Sequence, residues 1–313
     1  MSNSYKTNRF FPFNLLSVEF KLEKNKNGKT EMKLGNHMKK LITFIVFSVL
    51  LLFSANSSFA QQETGFLKRK VTVNGTEYGY RVFIPANFNP KKKYPVVLYL
   101  HGSDERGKNN ESQIESGLAQ VIKIGERLSI KQFSEFIAVF PQCRADNFWI
   151  GEMADQAVAA LDQTVSEFKA DSKRLYVSGF SLGGYGTWYI AAKHPKKFAA
   201  IAPIGGHIVP AFLTVPMVFP PPIKALVHPE LLPLYESNNP YLSVAKTIGK
   251  TPVWMFHGGE DEQVPVNDAR KMAEALKEAG LNYQYTEYAG NRHFIYDKAF
   301  TEKGFWTWLM SIN

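Results

Sequence analysis

The chain has 313 residues, 45% of them apolar or aromatic, which is enough for one well-cored domain and short for two. Its formal charge of +9 would suit a polyanion partner, but residues 1–60 hold nine Lys/Arg against three Asp/Glu, leaving 28 basic against 25 acidic residues in the remainder. A nearly balanced body makes no electrostatic case for nucleic acid, and a single cysteine, Cys143, excludes an intramolecular disulfide.

Residues 1–37 are polar, rich in Asn and Lys, and precede a second start at Met38, so they read as an upstream extension from an early start assignment. Residues 38–60 read as an export signal. Met38-Lys39-Lys40 supplies the basic head, Leu41 to Phe53 the apolar stretch, and Ser58-Phe59-Ala60 the small-x-small cleavage site. The apolar stretch falls short of the roughly 20 residues a membrane span needs. The expectation is cleavage after Ala60 and an exported protein, periplasmic or extracellular, with no stable membrane anchor afterwards.

Residues 61–313 read as one domain. Runs at 67–73 and 78–84 flank Asn74-Gly75, a strong hairpin signal. Buried strands are predicted at 95–100, 136–140, 175–178, 199–203, 253–257 and 284–288. They alternate with helical patterns at 112–127, 153–169, 182–193, 267–279 and about 298–310. This alternation predicts an α/β fold, a mostly parallel sheet of about eight strands with helices on both faces. From about 206 to 241 the chain is proline-rich and apolar without a regular period, which predicts a lid-like insertion over the site.

The stretch from Val177 to Gly184 contains Gly179-Phe180-Ser181-Leu182-Gly183, with a strand before it and a helix after it. That context makes Gly-x-Ser-x-Gly a nucleophile elbow of the α/β-hydrolase fold, with Ser181 raised on a sharp turn at the positive end of a helix. A serine hydroxyl needs an imidazole to take its proton and a carboxylate to fix the tautomer, in the chain order Ser, acid, His. Of His207, His228, His257 and His293, only His293 falls after the last strand and before the last helix, where the base belongs. Glu260, Asp261, Glu262 and Asp268 follow the preceding strand. Position selects Asp261, with Asp297 as the alternative. The oxyanion hole needs two backbone N–H groups; Leu182 and Ser103 are the candidates. Buried cysteine is preferred over nucleophile for Cys143. No cofactor or metal is expected, since no His/Cys/Asp cluster has ligand spacing and no Gly-rich phosphate loop is present.

Leu100-His-Gly-Ser-Asp-Glu-Arg-Gly107, Pro141-Gln-Cys143, Trp149, the elbow, His257-Gly-x-x-Asp-x-x-Val-Pro265 and Tyr285-x-Glu-Tyr-x-Gly-x-x-His293 occur in this order. Together they resemble the secreted serine esterases often labelled predicted peptidases, a group similar to feruloyl-esterase-like and polyester-depolymerase-like α/β-hydrolases. The resemblance covers about residues 66–310. It implies hydrolysis of carboxylic esters, including acyl or feruloyl esters of polysaccharides, and implies that Gln142 and Trp149 line the substrate; for Trp149 a core aromatic is the competing reading. Asp104 stands where that group usually has glycine, and the 206–241 segment is longer than its compact connection. Peptide amides are the alternative substrate, and a non-catalytic surface or glycan-binding protein is the alternative of another class.

Overall fold

The computed structural model describes residues 20–24, 26, 30–34, 63–128, 130–209 and 226–312. The chain divides into two compact units, Met1–Gln62 and Glu63–Asn313. In the first, strands β1 (Phe20–Lys24) and β2 (Thr30–Leu34) pair antiparallel with Phe20 opposite Leu34. The export signal expected at 38–60 lies outside the described residues, as do residues 210–225 of the expected lid. No helix among the described residues is long and apolar enough to cross a membrane.

The second unit is built on one eight-stranded sheet. Strands β3 (Gly65–Val73) and β4 (Thr76–Ile84) form the predicted hairpin. Asn74 and Gly75 both take positive φ, 48° and 80°, as a tight two-residue turn requires. The remaining strands are β5 (Val96–Leu100), β6 (Ile137–Pro141), β7 (Leu175–Phe180), β8 (Ala200–Ile204), β9 (Val253–Gly258) and β10 (Tyr283–Tyr288). Their order across the sheet is β10-β9-β8-β7-β5-β6-β4-β3, antiparallel only where β4 meets β3 and β6.

The helices are α1 (Gly117–Arg127), α2 (Gly151–Glu167), α3 (Leu182–Lys193), α4 (Leu232–Tyr235), α5 (Pro240–Ile248), α6 (Asn267–Glu278), α7 (Tyr296–Thr301) and α8 (Phe305–Ser311). The two-residue period of a strand sends neighbouring side chains to opposite faces. Val96, Leu98 and Leu100 accordingly pack with residues of α2, α3, α5 and α6, while Val97 and Tyr99 pack with residues of α1, α7 and α8. Both faces are covered, so the central strands are apolar throughout rather than alternating.

Three predicted elements differ in detail. The helix expected at 112–127 is a short 3-10 turn, Ser112–Ile114, followed by α1. The break falls at Gly117 (φ 61°), where a Cβ would stand 1.9 Å from the Tyr99 hydroxyl. The helix expected at 298–310 is two, α7 and α8, parted at Gly304 (φ 85°). In the insertion, residues 229–235 and the start of α5 at 240 are helical rather than irregular. Pro229, Pro233 and Pro240 sit in first turns, where their missing N–H costs nothing, and the Asn239 side chain caps α5 through the Leu242 amide.

Parallel strands bring their C-terminal ends to one edge. The register pairs Leu100 with Gly179, Phe180 with Ile204, Ile204 with Phe256, and Gly258 with Tyr288. The loops that leave these strands, with Ser103, Ser181, Asp261 and His293 on them, therefore emerge side by side, as ligand-binding loops do in open α/β sheets.

Candidate active site

Ser181 caps α3 directly after β7, with φ 55° and ψ −114°. A non-glycine residue in this region stores backbone strain, which persists only where packing imposes it. The packing is visible at Gly183, where a Cβ would lie 1.8 Å from the Leu100 carbonyl oxygen. The Ser181 amide donates to the Ile204 carbonyl at 2.9 Å, and its carbonyl accepts from the Tyr185 amide at 3.1 Å. The turn is thus tied to β8 on one side and to its own helix on the other.

His293 lies between β10 and α7 and is 3% exposed. Its Nε2 is 2.8 Å from Ser181 Oγ, and its Nδ1 is 2.7 Å from Asp261 Oδ2. A carboxylate only accepts, so Nδ1 carries the proton and Nε2 is free to accept from the serine hydroxyl. Asp261 Oδ1 accepts from the Gln263 and Val264 amides at 2.9 and 2.8 Å. His257 Nε2 donates to the Val264 carbonyl at 2.9 Å and lies 3.4 Å from Asp261 Oδ2. Burial alone would raise the Asp261 carboxyl, but hydrogen bonds from His257, His293 and the Val264 amide outweigh it and hold the pKa well below the ordinary carboxylate range. The acid therefore stays ionised beside the imidazole.

His207, His228, Asp268, Glu262 and Asp297 have partners outside this relay or lie at the surface. His207 Nδ1 pairs with Asp268 Oδ2 at 2.8 Å, and Asp268 Oδ1 accepts from the Tyr241 hydroxyl at 2.7 Å. His228 is bonded with Lys193 and lies 3.2 Å from Asp155. Glu262 faces Arg292 at 3.4 Å on the surface, and exposed Asp297 belongs to the first turn of α7.

The two amides expected at the oxyanion hole lie on the loops after β7 and β5. Leu182 is the first residue of α3, so its N–H has no acceptor within the helix. Ser103 is exposed in the loop after β5, and its carbonyl accepts from Arg106 Nε at 2.9 Å. Asp104, the departure from the resembled loop, is exposed at the tip and takes the Ser103 hydroxyl at 3.2 Å.

Behind this loop lies a residue that the sequence reading did not single out, His101. Its Nε2 accepts from the Cys143 amide at 3.0 Å, which makes Nδ1 the protonated nitrogen; that nitrogen donates to the Gly102 carbonyl at 2.6 Å. Burial pushes His101 down to about 4, against the opposing bond to Gly102, so the ring is neutral at ordinary pH. The signal that could have found it is its place at the end of a buried strand, immediately before a glycine.

Gln142 and Trp149, expected to line the substrate, are 4% and 0% exposed. Here the expectation is corrected. The Trp149 indole donates to the His101 carbonyl at 3.0 Å, and its ring meets that of His101 edge-on at 4.9 Å. Gln142 donates to the Glu105 carbonyl and to Asn109 Oδ1, and accepts from the Asn110 amide at 2.7 Å. Both side chains are spent on the loop after β5 rather than presented at the surface. Cys143 is fully buried, with its thiol pushed up to about 12 by burial.

A profile of the prolyl oligopeptidase family matches residues 145–308, a stretch that holds Ser181, Asp261 and His293. The chain belongs to that family. It is a hydrolase of the α/β-hydrolase superfamily, as the sheet order and elbow had led one to expect. Among curated relatives of this family member, dipeptidyl peptidase 4 of Sus scrofa is 21% identical over 244 residues, 72% of this chain and 30% of the relative. A bifunctional acetylxylan esterase/xylanase of Neocallimastix patriciarum is 29% identical over 136 residues, 40% of this chain and 17% of the relative. The chain thus spans less than a third of either. Among solved structures, a thermostable esterase is 25% identical with a TM-score of 0.62, covering 79% of this chain and 62% of the other.

Proposed function

We propose that this family member is a serine hydrolase that cleaves carboxylic esters, acyl or feruloyl esters of polysaccharides among them. The observation that carries the reading is the relay from Ser181 through His293 to Asp261, at 2.8 and 2.7 Å, on a strained elbow. In this reading Ser181 Oγ attacks the ester carbonyl while His293 Nε2 takes its proton. The Leu182 and Ser103 amides hold the oxygen as it becomes negative. His293 then gives the proton to the departing alkoxide oxygen, which leaves an acyl group on Ser181. Water, deprotonated by His293, attacks the acyl-enzyme; collapse releases the acid and restores the serine. Asp261 stabilises the imidazolium that forms in each half of the cycle.

Support for esters comes from the thermostable esterase, which is similar over most of this chain, and from the acetylxylan esterase/xylanase. Peptide amides are the second reading, because the dipeptidyl peptidase similarity extends over 72% of this chain. A turnover panel separates the two: p-nitrophenyl acetate, methyl ferulate and acetylated xylan against dipeptidyl p-nitroanilides. The ester reading expects kcat/KM for the best ester to exceed that for the best amide. The opposite order would reassign the substrate class. The proposed setting is outside the cytoplasm, on the strength of the signal-like pattern at 38–60. The proposed partner is the ester substrate itself, with no role for nucleic acid.

A further inference from the structure

Among the described residues five large apolar side chains are exposed, and Phe294 is the one aromatic among them, at 61%. It directly follows His293, which is buried. An exposed phenylalanine at this place is not required by the core, which takes in Phe180 and Ile295 at 5% and 0% exposure and leaves Phe294 out. Its ring centroid lies 5.5 Å from that of His293 and 5.8 Å from that of Phe180. Phe180 directly precedes the nucleophile and lies beside Gly102, so the Phe294 ring, close to both Phe180 and His293, stands next to the relay. Tyr296, 5.2 Å from Phe180, extends the same aromatic wall.

We propose that Phe294 is a stacking platform for a sugar ring in the alcohol half of the substrate. The proposal rests on the ester-hydrolase reading and names its substrate class as esters of carbohydrate hydroxyls. The chemistry of the relay supplies the direction. His293 Nε2 returns its proton to the departing oxygen, so that oxygen must come within hydrogen-bond reach of Nε2, and whatever it is attached to extends over the His293 edge. The Phe294 ring beside His293 belongs to a residue that is 61% exposed. A glycan continues beyond the site and needs a surface open at its far end. The apolar C–H face of a pyranose fits a flat aromatic face, while its hydroxyls remain in water. Binding energy from this remote part of the substrate raises kcat/KM for glycosyl esters over simple alkyl esters of the same acid.

The test uses the full chain and two readouts. First, kcat/KM is measured for a feruloylated xylo-oligosaccharide and for methyl ferulate, in wild type, Phe294→Ala and Phe294→Trp. The ratio of glycosyl to methyl ester is expected to fall about 5–10-fold in Phe294→Ala and to recover in Phe294→Trp. Second, the affinity of the same oligosaccharide for Ser181→Ala protein is measured by calorimetry, where no turnover is needed; adding Phe294→Ala is expected to weaken it by a similar factor. An unchanged ratio with unchanged affinity overturns the platform, and so does an equal loss on both esters that Phe294→Trp fails to restore. Binding that depends on Phe294 in a wild-type protein that hydrolyses neither ester would keep the platform and remove the hydrolase reading.

Discussion

Ser181 holds a backbone conformation that a free chain avoids, and the neighbours that impose it are backbone atoms with no slack. Gly183→Ala places a methyl group 1.8 Å from the Leu100 carbonyl oxygen, so β5 and α3 must part. The expected outcome is a destabilisation of about 1–3 kcal/mol or more in denaturant titrations, with a lowered kcat from a displaced hydroxyl. At the acid, Asp261→Asn leaves the shape but removes the group that fixes the His293 tautomer. Its kcat should fall at least about 1,000-fold. Asp297→Asn should cost at most a few-fold, since Asp297 is exposed and Asp261 already occupies His293 Nδ1. Ester-turnover kinetics on the two variants check this, and the reverse ranking would move the acid. Ser181, Asp261 and His293 were legible in sequence because elbow spacing and chain order are both one-dimensional. The roles of Gln142 and Trp149 were not, because depth of burial is set by neighbours from elsewhere in the chain. Trp149 is buried through His101, 48 residues away, and α3.

The loop after β5 shows how one element is made rigid by others. His101 accepts from Cys143 at the end of β6, Trp149 before α2 holds the His101 carbonyl, and Gln142 gathers Glu105, Asn109 and Asn110. On the proposed reading, a loop held in this way spares the site rearrangement when the oxyanion forms. Trp149→Phe keeps an aromatic side chain but removes the N–H with the rest of the pyrrole ring, leaving a buried carbonyl without its donor. It should cost about 1–3 kcal/mol of stability and about tenfold in kcat, with a smaller change in KM. Steady-state kinetics and thermal unfolding together check that split; a KM effect alone would mean that Trp149 touches substrate after all. Strand and helix identities along this edge followed from period and flanking glycines. The breaks inside predicted helices did not. Gly117 begins α1 inside a pattern that is helical in period throughout, and its positive φ is held where the Tyr99 hydroxyl of β5 leaves no room for a side chain. The prolines of 229–240 similarly mark helix starts, which composition alone does not distinguish from irregular chain.

Across the whole molecule, two apolar layers clamp the sheet, and the polar groups sealed between them set its response to pH. His101 is buried neutral, with its pKa brought from 6.5 to about 4. Between those values the unfolded chain binds a proton that the folded chain refuses. Stability therefore falls as pH drops through this window, by about 3 kcal/mol once both states are protonated below it. His101→Gln keeps an acceptor within reach of the Cys143 amide and does not titrate. Its unfolding free energy should depend less steeply on pH between 6.5 and 4 than that of wild type, as read by denaturant titration at several pH values. The α/β architecture itself was legible because alternating buried strands and amphipathic helices leave few other ways to bury both. What the sheet edge assembles, a strained serine within hydrogen-bond reach of an imidazole, makes the central claim a matter of reactivity. The most direct measurement is labelling of the folded protein with a fluorophosphonate probe, followed by peptide mapping. The modified peptide should contain Ser181, with no labelling of Ser181→Ala or of denatured wild type. Labelling that persists in Ser181→Ala, or maps to Ser103, would contradict the assignment of the nucleophile.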